Sequence, residues 1–223
     1  MTVLAVMGLT REAKIVGRDG VRTVCGGGVS ALLEERIERA IAEERPEGVI
    51  STGVAGALDP ALRLEDCIIP SAVVSEDGGW ETDPRWTAAL RERHPDARGD
   101  ALYGADVIIM GAEEKLRLNR ATGAASVDME SHVAARVAAR HGLPFAVMRV
   151  VSDTTDRDLP PAFLVAMRPD GGIDFGAMRR SILGDLSQIP SLIRTGIEAE
   201  GAFRALLRRH DLLGPRIACP DFG

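Results

Sequence analysis

The segment SVDMESHVAARVAARHGLPFAVMRVVSD, residues 126–153, combines a helix pattern with a strand pattern and decides the fold. Small and branched apolar residues recur at helical spacing after Ser131, and residues 145–151 form an almost continuous apolar run of strand length. A strand without alternating polar residues is typical of a sheet that is covered on both faces. Two carboxyl groups mark the segment, because Glu130 precedes the helix and Asp153 ends the strand.

The rest of the chain repeats this alternation of strands and helices. Further strands are predicted at residues 2–6, 47–52, 67–74 and 106–110, each of which is rich in Val and Ile. Residues 29–43 predict an amphipathic helix, since apolar residues recur there at steps of three and four. The pattern predicts an α/β protein with a largely parallel sheet between helices.

Nothing in the sequence divides the chain into separate units. There is no internal repeat and no linker rich in Pro, Gly or Ser, so residues 1–223 are expected to form a single domain. Residues 75–104 are expected to form long loops around one short helix near residues 86–93. Residues 188–213 are expected to form a C-terminal helix.

Composition excludes several classes of function. The net charge of -6 and the pI near 5.3 argue against binding nucleic acid, which needs clustered Lys and Arg. Cys25, Cys67 and Cys219 are widely spaced and form no metal-ligand motif, which fits a reducing cytoplasm. The N-terminal apolar run lacks a preceding basic region and is not expected to be a secretory signal, and no run is long enough for a bilayer span.

Glycine and charged residues collect where the predicted strands end. The four stretches are GLTRE at 8–12, CGGG at 25–28, TGVAG at 52–56 and RVVSD at 149–153. Ligands of open parallel sheets bind beyond the carboxyl ends of the strands, so a site is expected at this edge. Glycine allows a close approach of backbone to ligand, but neither glycine loop matches a triphosphate or dinucleotide motif. Tight strand-to-helix turns would explain each loop equally well.

Five stretches together carry a family resemblance. GLTREA, CGGG, STGVAGALDPALRLEDCIIP, VDMES and PFAVMRVVSD occur in an order and spacing that resemble the nucleoside phosphorylase and nucleosidase superfamily over residues 1–183. The superfamily includes purine nucleoside phosphorylases and methylthioadenosine/S-adenosylhomocysteine nucleosidases. LPPAFLVAMRPDGGID and the tail AFRALLRRHDLLG are similar to its members associated with hopanoid biosynthesis. The resemblance implies a three-layer α/β fold, a homodimer and release of adenine from adenosylhopane.

The resemblance also implies roles for individual residues. Glu130 would accept hydrogen bonds from the ribose hydroxyls above Met129, and Asp153 would give a proton to N7 of the purine as the glycosidic bond breaks. An apolar surround would favour the protonated form of Asp153. Glu12 would activate water, and Arg149 would lie beside the nucleophile or form a salt bridge to Glu12. The remaining substrate-binding residues implied are Asp128, Ser152, Val107, Val54, Ala55, Gly56 and Gly27.

Three residues depart from the pattern of the better known nucleosidases. Glu12 follows Gly8 at a distance one residue shorter than in those enzymes. Val54 stands where a hydroxyl residue is expected after Gly53, and Val107 stands where an aromatic residue flanks the purine. Stacking on the base is therefore left open.

Several alternatives remain open from the sequence. Water is favoured as the nucleophile because few cations are available near the loops, but inorganic phosphate as co-substrate is the alternative. No metal or organic cofactor is implied. The substrate could instead be methylthioadenosine, S-adenosylhomocysteine or an ordinary purine nucleoside. An alternative of another class is an inactive protein that binds nucleosides.

The C-terminal helix candidate offers a further alternative. Its apolar side and its arginines are a combination that can lie in a lipid interface, whereas amphipathic helices of globular proteins mostly pack on the core. Packing as a terminal helix on the domain is the favoured interpretation, and transient peripheral contact with the inner face of the membrane is the alternative hypothesis. The residues are Leu192, Ile193, Ile197, Phe203, Leu206 and Leu207 on the apolar side, with Arg194, Arg204, Arg208 and Arg209.

Overall fold

A nine-stranded mixed sheet organises the chain in the computed structural model, which describes residues 2–222. The strands are β1 Val3–Met7, β2 Val21–Cys25, β3 Gly48–Ala57, β4 Cys67–Ile68, β5 Ala72–Ser75, β6 Gly78–Glu81, β7 Leu102–Gly104, β8 Ser126–Asp128 and β9 Phe145–Asp153. Their order is β2-β1-β3-β8-β7-β5-β6, and β9 pairs with β3 and β4. The ladders β1–β2, β1–β3, β3–β9, β5–β7 and β7–β8 are parallel.

Helices cover both faces of this sheet. They are α1 Thr10–Val16, α2 Ser30–Glu44, α3 Pro84–Arg93, α4 Ala112–Thr122, α5 Ser131–Arg140, α6 Pro161–Leu164, α7 Phe175–Gly184 and α8 Ile189–Asp211, with 3-10 turns at Leu186–Gln188 and Pro215–Ala218. Helices α2 and α5 bury Leu33 and Val137 against one face. Helices α3 and α8 bury Trp86 and Leu206 against the other. The predicted three-layer α/β fold is confirmed.

Two of the predicted strands differ from the structure. Residues 106–110 form a loop between β7 and α4, in which Val107 is exposed and Ile109 is buried beside Tyr103. Apolar side chains are needed here because the loop forms one wall of a cavity, so the strand prediction was wrong. The run 67–74 is divided into β4 and β5 around Pro70, since proline has no N–H for a ladder.

Residues 75–104 contain more regular structure than the sequence indicated. The helix expected near residues 86–93 is present as α3, whose first turn is capped by the Asp83 carboxylate. Strands β5 and β6 form an antiparallel hairpin, and β7 joins the sheet between β5 and β8. Both features escaped prediction because their strands are only three or four residues long.

The C-terminal helix is present as α8, but its apolar residues do not share one environment. Phe203 and Leu206 are buried against the sheet, whereas Ile193 and Ile197 are exposed. The predicted single apolar side was therefore wrong. All four arginines form ion pairs with acids of the same chain, namely Arg194 with Glu198, Arg204 with Glu200, Arg208 with Glu65 and Arg209 with Asp96. The C-terminal half of α8 is thus a core helix.

The described residues contain no candidate for a membrane-spanning helix or for a metal site. Within residues 2–222, no helix combines the length and the apolar character that crossing a bilayer requires. The same residues contain no group of three or more His, Cys, Asp and Glu side chains placed to hold a metal ion.

Candidate functional site

The carboxyl ends of β1, β3, β8 and β9 surround one cavity of about 120 Å³. Ten of the predicted site residues line it: Glu12, Val54, Ala55, Gly56, Val107, Asp128, Met129, Glu130, Ser152 and Asp153. Ligand sites of open sheets form at this edge because the turns that leave the strands meet there. The structure therefore brings residues of five separate stretches together.

Glu12 lies in the first turn of α1 with its side chain turned inward. Its Oε2 accepts a hydrogen bond from the Leu9 N–H at 2.7 Å, and its Oε1 accepts one from the Val54 N–H at 2.8 Å. Gly53 makes room for this carboxylate, since a Cβ there would lie 2.3 Å from Oε1 and the φ of +144° disfavours any other residue. The shorter spacing from Gly8 thus still delivers Glu12 to the cavity.

Arg149 is fully buried beneath the cavity and is surrounded by acids. Its Nε lies 2.7 Å from Asp128 Oδ2, and its Nη2 lies 3.4 Å from Glu130 Oε2. Nη2 also donates to Ser51 Oγ at 2.6 Å. Among residues 2–222 its ion pairs go to Asp128 and Glu130, so the expected salt bridge to Glu12 is replaced by these two. A buried guanidinium needs such partners because desolvating it alone is costly.

Asp128 is directed away from a substrate-binding role. Its Oδ1 accepts hydrogen bonds from the backbone N–H groups of Glu130 at 3.2 Å and of Ser131 at 2.9 Å. Its Oδ2 faces Arg149 and also accepts from the Ser131 hydroxyl. The carboxylate reaches the cavity wall, but its bonds hold the start of α5 and the guanidinium, and so position Glu130.

Burial and crowding change the acidity of two carboxyl groups here. Burial raises the pKa of Glu130 to about 8, although Arg149 opposes the shift, and the neighbouring Asp128 and Glu12 add to it. Burial likewise raises the pKa of Glu12, against the opposing effects of Arg149 and the Val54 N–H. Three acids therefore share one guanidinium at the end of the cavity that holds Glu12, Asp128, Glu130 and Arg149, which we call the arginine end.

Asp153 lines the cavity at the end of β9, beyond Arg149 on the same strand, and has a cation of its own. Its Oδ2 is 2.5 Å from Lys115 Nζ, and its Oδ1 accepts a hydrogen bond from Ser152 Oγ at 2.9 Å. Lys115 is fully buried and also donates to the Thr154 carbonyl at 3.1 Å. The apolar surround expected for Asp153 was therefore wrong. We call Asp153 and Lys115 the lysine end.

Sequence reasoning missed Lys115 completely. It lies on α4 in the run AEEKLRLNR, where neighbouring charged residues are typical of a solvated helix face. It is nevertheless the only buried residue of that helix. Only the packing of α4 against the end of β9 reveals its role, so no local signal would have found it.

Gly27 does not line the cavity, contrary to the prediction. Its N–H donates to the Gly8 carbonyl at 3.0 Å, and the Gly26 N–H donates to the Met7 carbonyl at 2.7 Å. A Cβ on Gly27 would lie 2.4 Å from the Arg168 carbonyl oxygen, and its φ is +60°. The loop is therefore closed by the backbone near residues 168–169, which is why glycine is required there.

A second, larger cavity of about 340 Å³ adjoins the first. The two share the residues Leu9, Val54, Ser152, Asp153, Leu159, Phe163 and Met167. The larger one continues between α6, α7 and α8 along Ile173, Met178, Leu192 and Phe203. Arg11 and Glu200, which also line it, form an ion pair at 2.6 Å.

Exposed apolar side chains are concentrated in residues 164–197, the part of the chain that supplies much of the lining of this second cavity. We call these nine residues the apolar rim: Leu164, Val165, Ile173, Phe175, Leu183, Leu186, Ile189, Ile193 and Ile197. Phe175 is 72% exposed and Ile197 is 69% exposed. Isolated apolar residues are normal on a surface, but a concentration within 34 consecutive residues marks a candidate contact surface.

Comparison with known proteins identifies the class to which this fold and site belong. The family model described as "Phosphorylase superfamily" matches residues 14–172. The chain belongs to the phosphorylase superfamily. The predicted resemblance and the expectation of an enzyme of this superfamily are thereby confirmed.

Similar proteins include nucleosidases of two bacteria. The 5′-methylthioadenosine/S-adenosylhomocysteine nucleosidase of Treponema pallidum is 28% identical over 192 residues, which cover 66% of this chain and 71% of that enzyme. The enzyme of the same name from Staphylococcus aureus is 27% identical over 141 residues, which cover 53% of this chain and 62% of that enzyme. The match thus spans less than two thirds of the staphylococcal enzyme.

Solved structures agree on the fold. The S. pneumoniae 5′-methylthioadenosine/S-adenosylhomocysteine nucleosidase with a transition-state inhibitor has a TM-score of 0.65 at 15% identity, covering 96% of this chain and 100% of that one. The futalosine hydrolase of Helicobacter pylori has a TM-score of 0.61 at 17% identity, covering 69% of this chain and 88% of that one.

Proposed function

We propose that this protein is a nucleosidase that breaks the N-glycosidic bond of a 5′-substituted adenosine and releases adenine. The observation that carries the proposal is the arrangement of Glu12, Glu130 and Asp153 around one cavity, two at the arginine end and one at the lysine end. Such a division suits a reaction that needs a base and a sugar-binding carboxylate on one side and an acid on the other.

Each carboxyl group has a separate task in this reaction. Glu130 accepts hydrogen bonds from the ribose 2′- and 3′-hydroxyls while Met129 packs beneath the sugar. Asp153 gives its proton to N7, so that the electron pair of the C1′–N9 bond leaves on a neutral base. The sugar becomes an oxocarbenium ion, and a water that loses its proton to Glu12 adds to C1′.

The contacts of Glu12 support water, rather than phosphate, as the nucleophile. A phosphate ion would require backbone N–H groups and cations, but the Leu9 and Val54 N–H groups already bind the Glu12 carboxylate. The neighbouring cation, Arg149, already faces Asp128 and Glu130. Adenine release should therefore proceed at the same rate without phosphate and yield a free sugar. Dependence on added phosphate, with a ribose 1-phosphate product, would identify a phosphorylase instead.

The second cavity supports an apolar group on the 5′ carbon. It extends from Ser152 and Asp153 along Phe163, Met178 and Leu192, a lining suited to a hydrocarbon. This favours adenosylhopane, the substrate implied by the hopanoid-associated relatives of the sequence. The cavity would equally accept a short thioether, and the named relatives are methylthioadenosine/S-adenosylhomocysteine nucleosidases.

Arg11 and Glu200 support a third candidate, S-adenosylhomocysteine. Their charges could bind the carboxylate and the ammonium group of its amino acid, but at 2.6 Å they are already paired with each other.

An assay of 5′-alkylthioadenosines of increasing chain length separates these substrates. We expect kcat/KM to rise with chain length; a maximum at methyl would support methylthioadenosine, and a preference for homocysteine would support the charged pair. An ordinary purine nucleoside as the best substrate would contradict all three.

The same assay addresses a function of another class. A protein that binds nucleosides without cleaving them would release no adenine from any analogue, even where calorimetry detects binding. Retention of Glu12, Glu130, Arg149 and Asp153 in one connected site favours catalysis, since binding alone needs neither the water-activating base nor the acid.

The apolar rim supports peripheral contact with a membrane, at which a lipid-linked substrate would be collected. This rim includes the N-terminal half of α8, rather than the tail as a whole, and it lies on the segment that also supplies Met178 and Leu192 to the apolar cavity. In this proposal the protein is cytoplasmic and binds transiently to the inner face of the membrane. A homodimer, which the resemblance implies, is the competing use of this surface.

Charged substitutions in the rim test the membrane contact. Ile193→Glu and Ile197→Glu should each lower flotation with anionic liposomes, while Leu212→Glu, at an exposed position outside the rim, should not. Removal of the whole tail is unsuitable because Phe203 and Leu206 belong to the core. Wild-type protein that stays unbound to liposomes contradicts the proposal, and loss of a dimer in the glutamate variants would assign the rim to self-association.

A further inference from the structure

Lys115, one of the buried cations among residues 2–222, has no task in the proposed reaction. Its ammonium group lies 2.5 Å from Asp153 Oδ2 and 3.1 Å from the Thr154 carbonyl, and its side chain is fully buried. It is absent from the lining of both cavities, so it would reach a substrate only through Asp153. A charge desolvated in this way is costly unless its partner needs it.

The surroundings of Lys115 hold it in a fixed place. Asp158, from the loop after β9, accepts a hydrogen bond from the Ala112 N–H at 2.7 Å and so caps the start of α4. The Leu159 N–H donates to the Met110 carbonyl at 2.9 Å in the same region. These two bonds join the loop after β9 to the first turn of α4. The ammonium group is therefore aligned with Asp153 before any substrate binds.

Ser152 and Lys115 divide the two oxygens of Asp153 between them. Oδ2 is occupied by the ammonium group, while Oδ1 accepts the Ser152 hydroxyl, a residue that itself lines the cavity. Oδ1 is thus the oxygen on the cavity side of the carboxyl group. Gly56 on the adjacent strand β3 leaves room for this carboxyl group, since a Cβ there would lie 2.9 Å from Oδ2.

We propose that Lys115 is a positioning residue that turns Oδ1 of Asp153 toward the purine and stabilises the carboxylate that forms when the proton leaves. The inference rests on the proposed nucleosidase function. In the step itself the Asp153 O–H bond breaks, the N7–H bond forms, and the C1′–N9 electron pair passes to the base. Negative charge grows on Asp153 during this step, and a fixed cation 2.5 Å away lowers its energy.

The distinctive consequence is that Lys115 affects turnover through Asp153. Lys115→Met should lower kcat by roughly 10- to 100-fold, the scale for one lost electrostatic contact in a transition state. The KM should change by less than about threefold, because the sugar and base contacts remain. Lys115→Arg should recover part of the loss since it restores the charge. Arg117→Met, an exposed position on the same helix, serves as control.

The decisive measurement repeats the substitution in an Asp153→Asn background. If Lys115 acts through Asp153, Lys115→Met should cost almost nothing further there, whereas a purely structural role would cost the same factor in both backgrounds. Equal losses in both, or an unchanged kcat in the single variant, overturn the inference while wild-type adenine release upholds the proposed function. Wild-type protein that cleaves no adenosine analogue would overturn both.

Discussion

The arginine end and the lysine end of the cavity both contain buried charges, but they differ in the ratio of acids to cations. At the arginine end Glu12, Asp128 and Glu130 surround one guanidinium, and burial raises the pKa of Glu12 and Glu130. At the lysine end one ammonium group faces one carboxylate. Where acids outnumber cations, a buried carboxyl group can gain or lose a proton as the pH changes. A single ion pair instead holds its carboxylate in one orientation. The difference suggests that binding and water activation depend on pH at the arginine end.

The largest effect should come from removing the shared cation. Arg149→Met should lower the free energy of unfolding by about 3–5 kcal/mol, because the Asp128 and Glu130 carboxyl groups remain buried without the cation that neutralises them. Urea unfolding measures this. Arg194→Met, whose side chain is 61% exposed, should change stability by less than about 0.5 kcal/mol. Equal losses of unfolding free energy in the two variants would show that Arg149 stabilises the fold no more than an exposed arginine does.

The next effect concerns the acid of the lysine end. Asp153→Asn should lower the rate of adenine release by about 10²-fold or more, since an amide cannot supply the proton to N7. Asp156→Asn, on the exposed loop that follows, should stay close to wild type. In the Asp153→Asn variant the buried Lys115 faces a neutral group. The activity of both variants is therefore measured well below the melting temperature. Near-wild-type turnover of Asp153→Asn would assign the acid to another residue.

The third effect is a dependence of stability on pH, which should come from Glu130 at the arginine end. The pKa of Glu130 rises from its ordinary value of 4.5 to about 8 on folding, so the folded state holds more protons between these values. Stability should therefore fall as the pH rises through this window. Glu130→Gln should flatten the fall and raise the unfolding free energy above pH 8 by on the order of 2 kcal/mol. An unchanged pH profile of stability would show that Glu130 stays ionised throughout.

The smallest effect should come from a substitution of Val107 in the cavity wall. Val107 is 65% exposed where an aromatic residue flanks the purine in the resembling nucleosidases. Val107→Phe should strengthen adenine binding by about threefold through stacking, a gain of about 0.5–1 kcal/mol. Calorimetry with adenine measures this, and Val107→Leu controls for added apolar area. An equal gain from leucine would speak against stacking.

The sequence predicted those parts of the site that lie at strand ends. Glu130 and Asp153 could be found because a charged residue beside an apolar run is unusual, and the family resemblance supplied their roles. Glu12 could be predicted only from that resemblance, since its spacing from Gly8 gave no sign that two N–H groups would bind it. Local patterns identify such positions but not their partners.

The remainder could not be predicted because it depends on contacts between distant segments. Lys115 meets Asp153 across 38 residues, and nothing in the helix pattern of α4 marks it as buried. Residues 106–110 have the composition of a strand, yet they form the wall of a cavity. Likewise the apolar residues of α8 divide between core and surface, which the spacing along one helix did not reveal.

The burial of Lys115 has a practical consequence for chemical labelling. The sequence contains only two lysines, and the other one, Lys14, is exposed. Of the two lysines, amine-reactive dyes should therefore modify Lys14 while Lys115 stays unmodified in the folded protein. In a Lys14→Arg variant, slow acylation at Lys115, followed by peptide mass spectrometry, would report how often α4 separates from the end of β9.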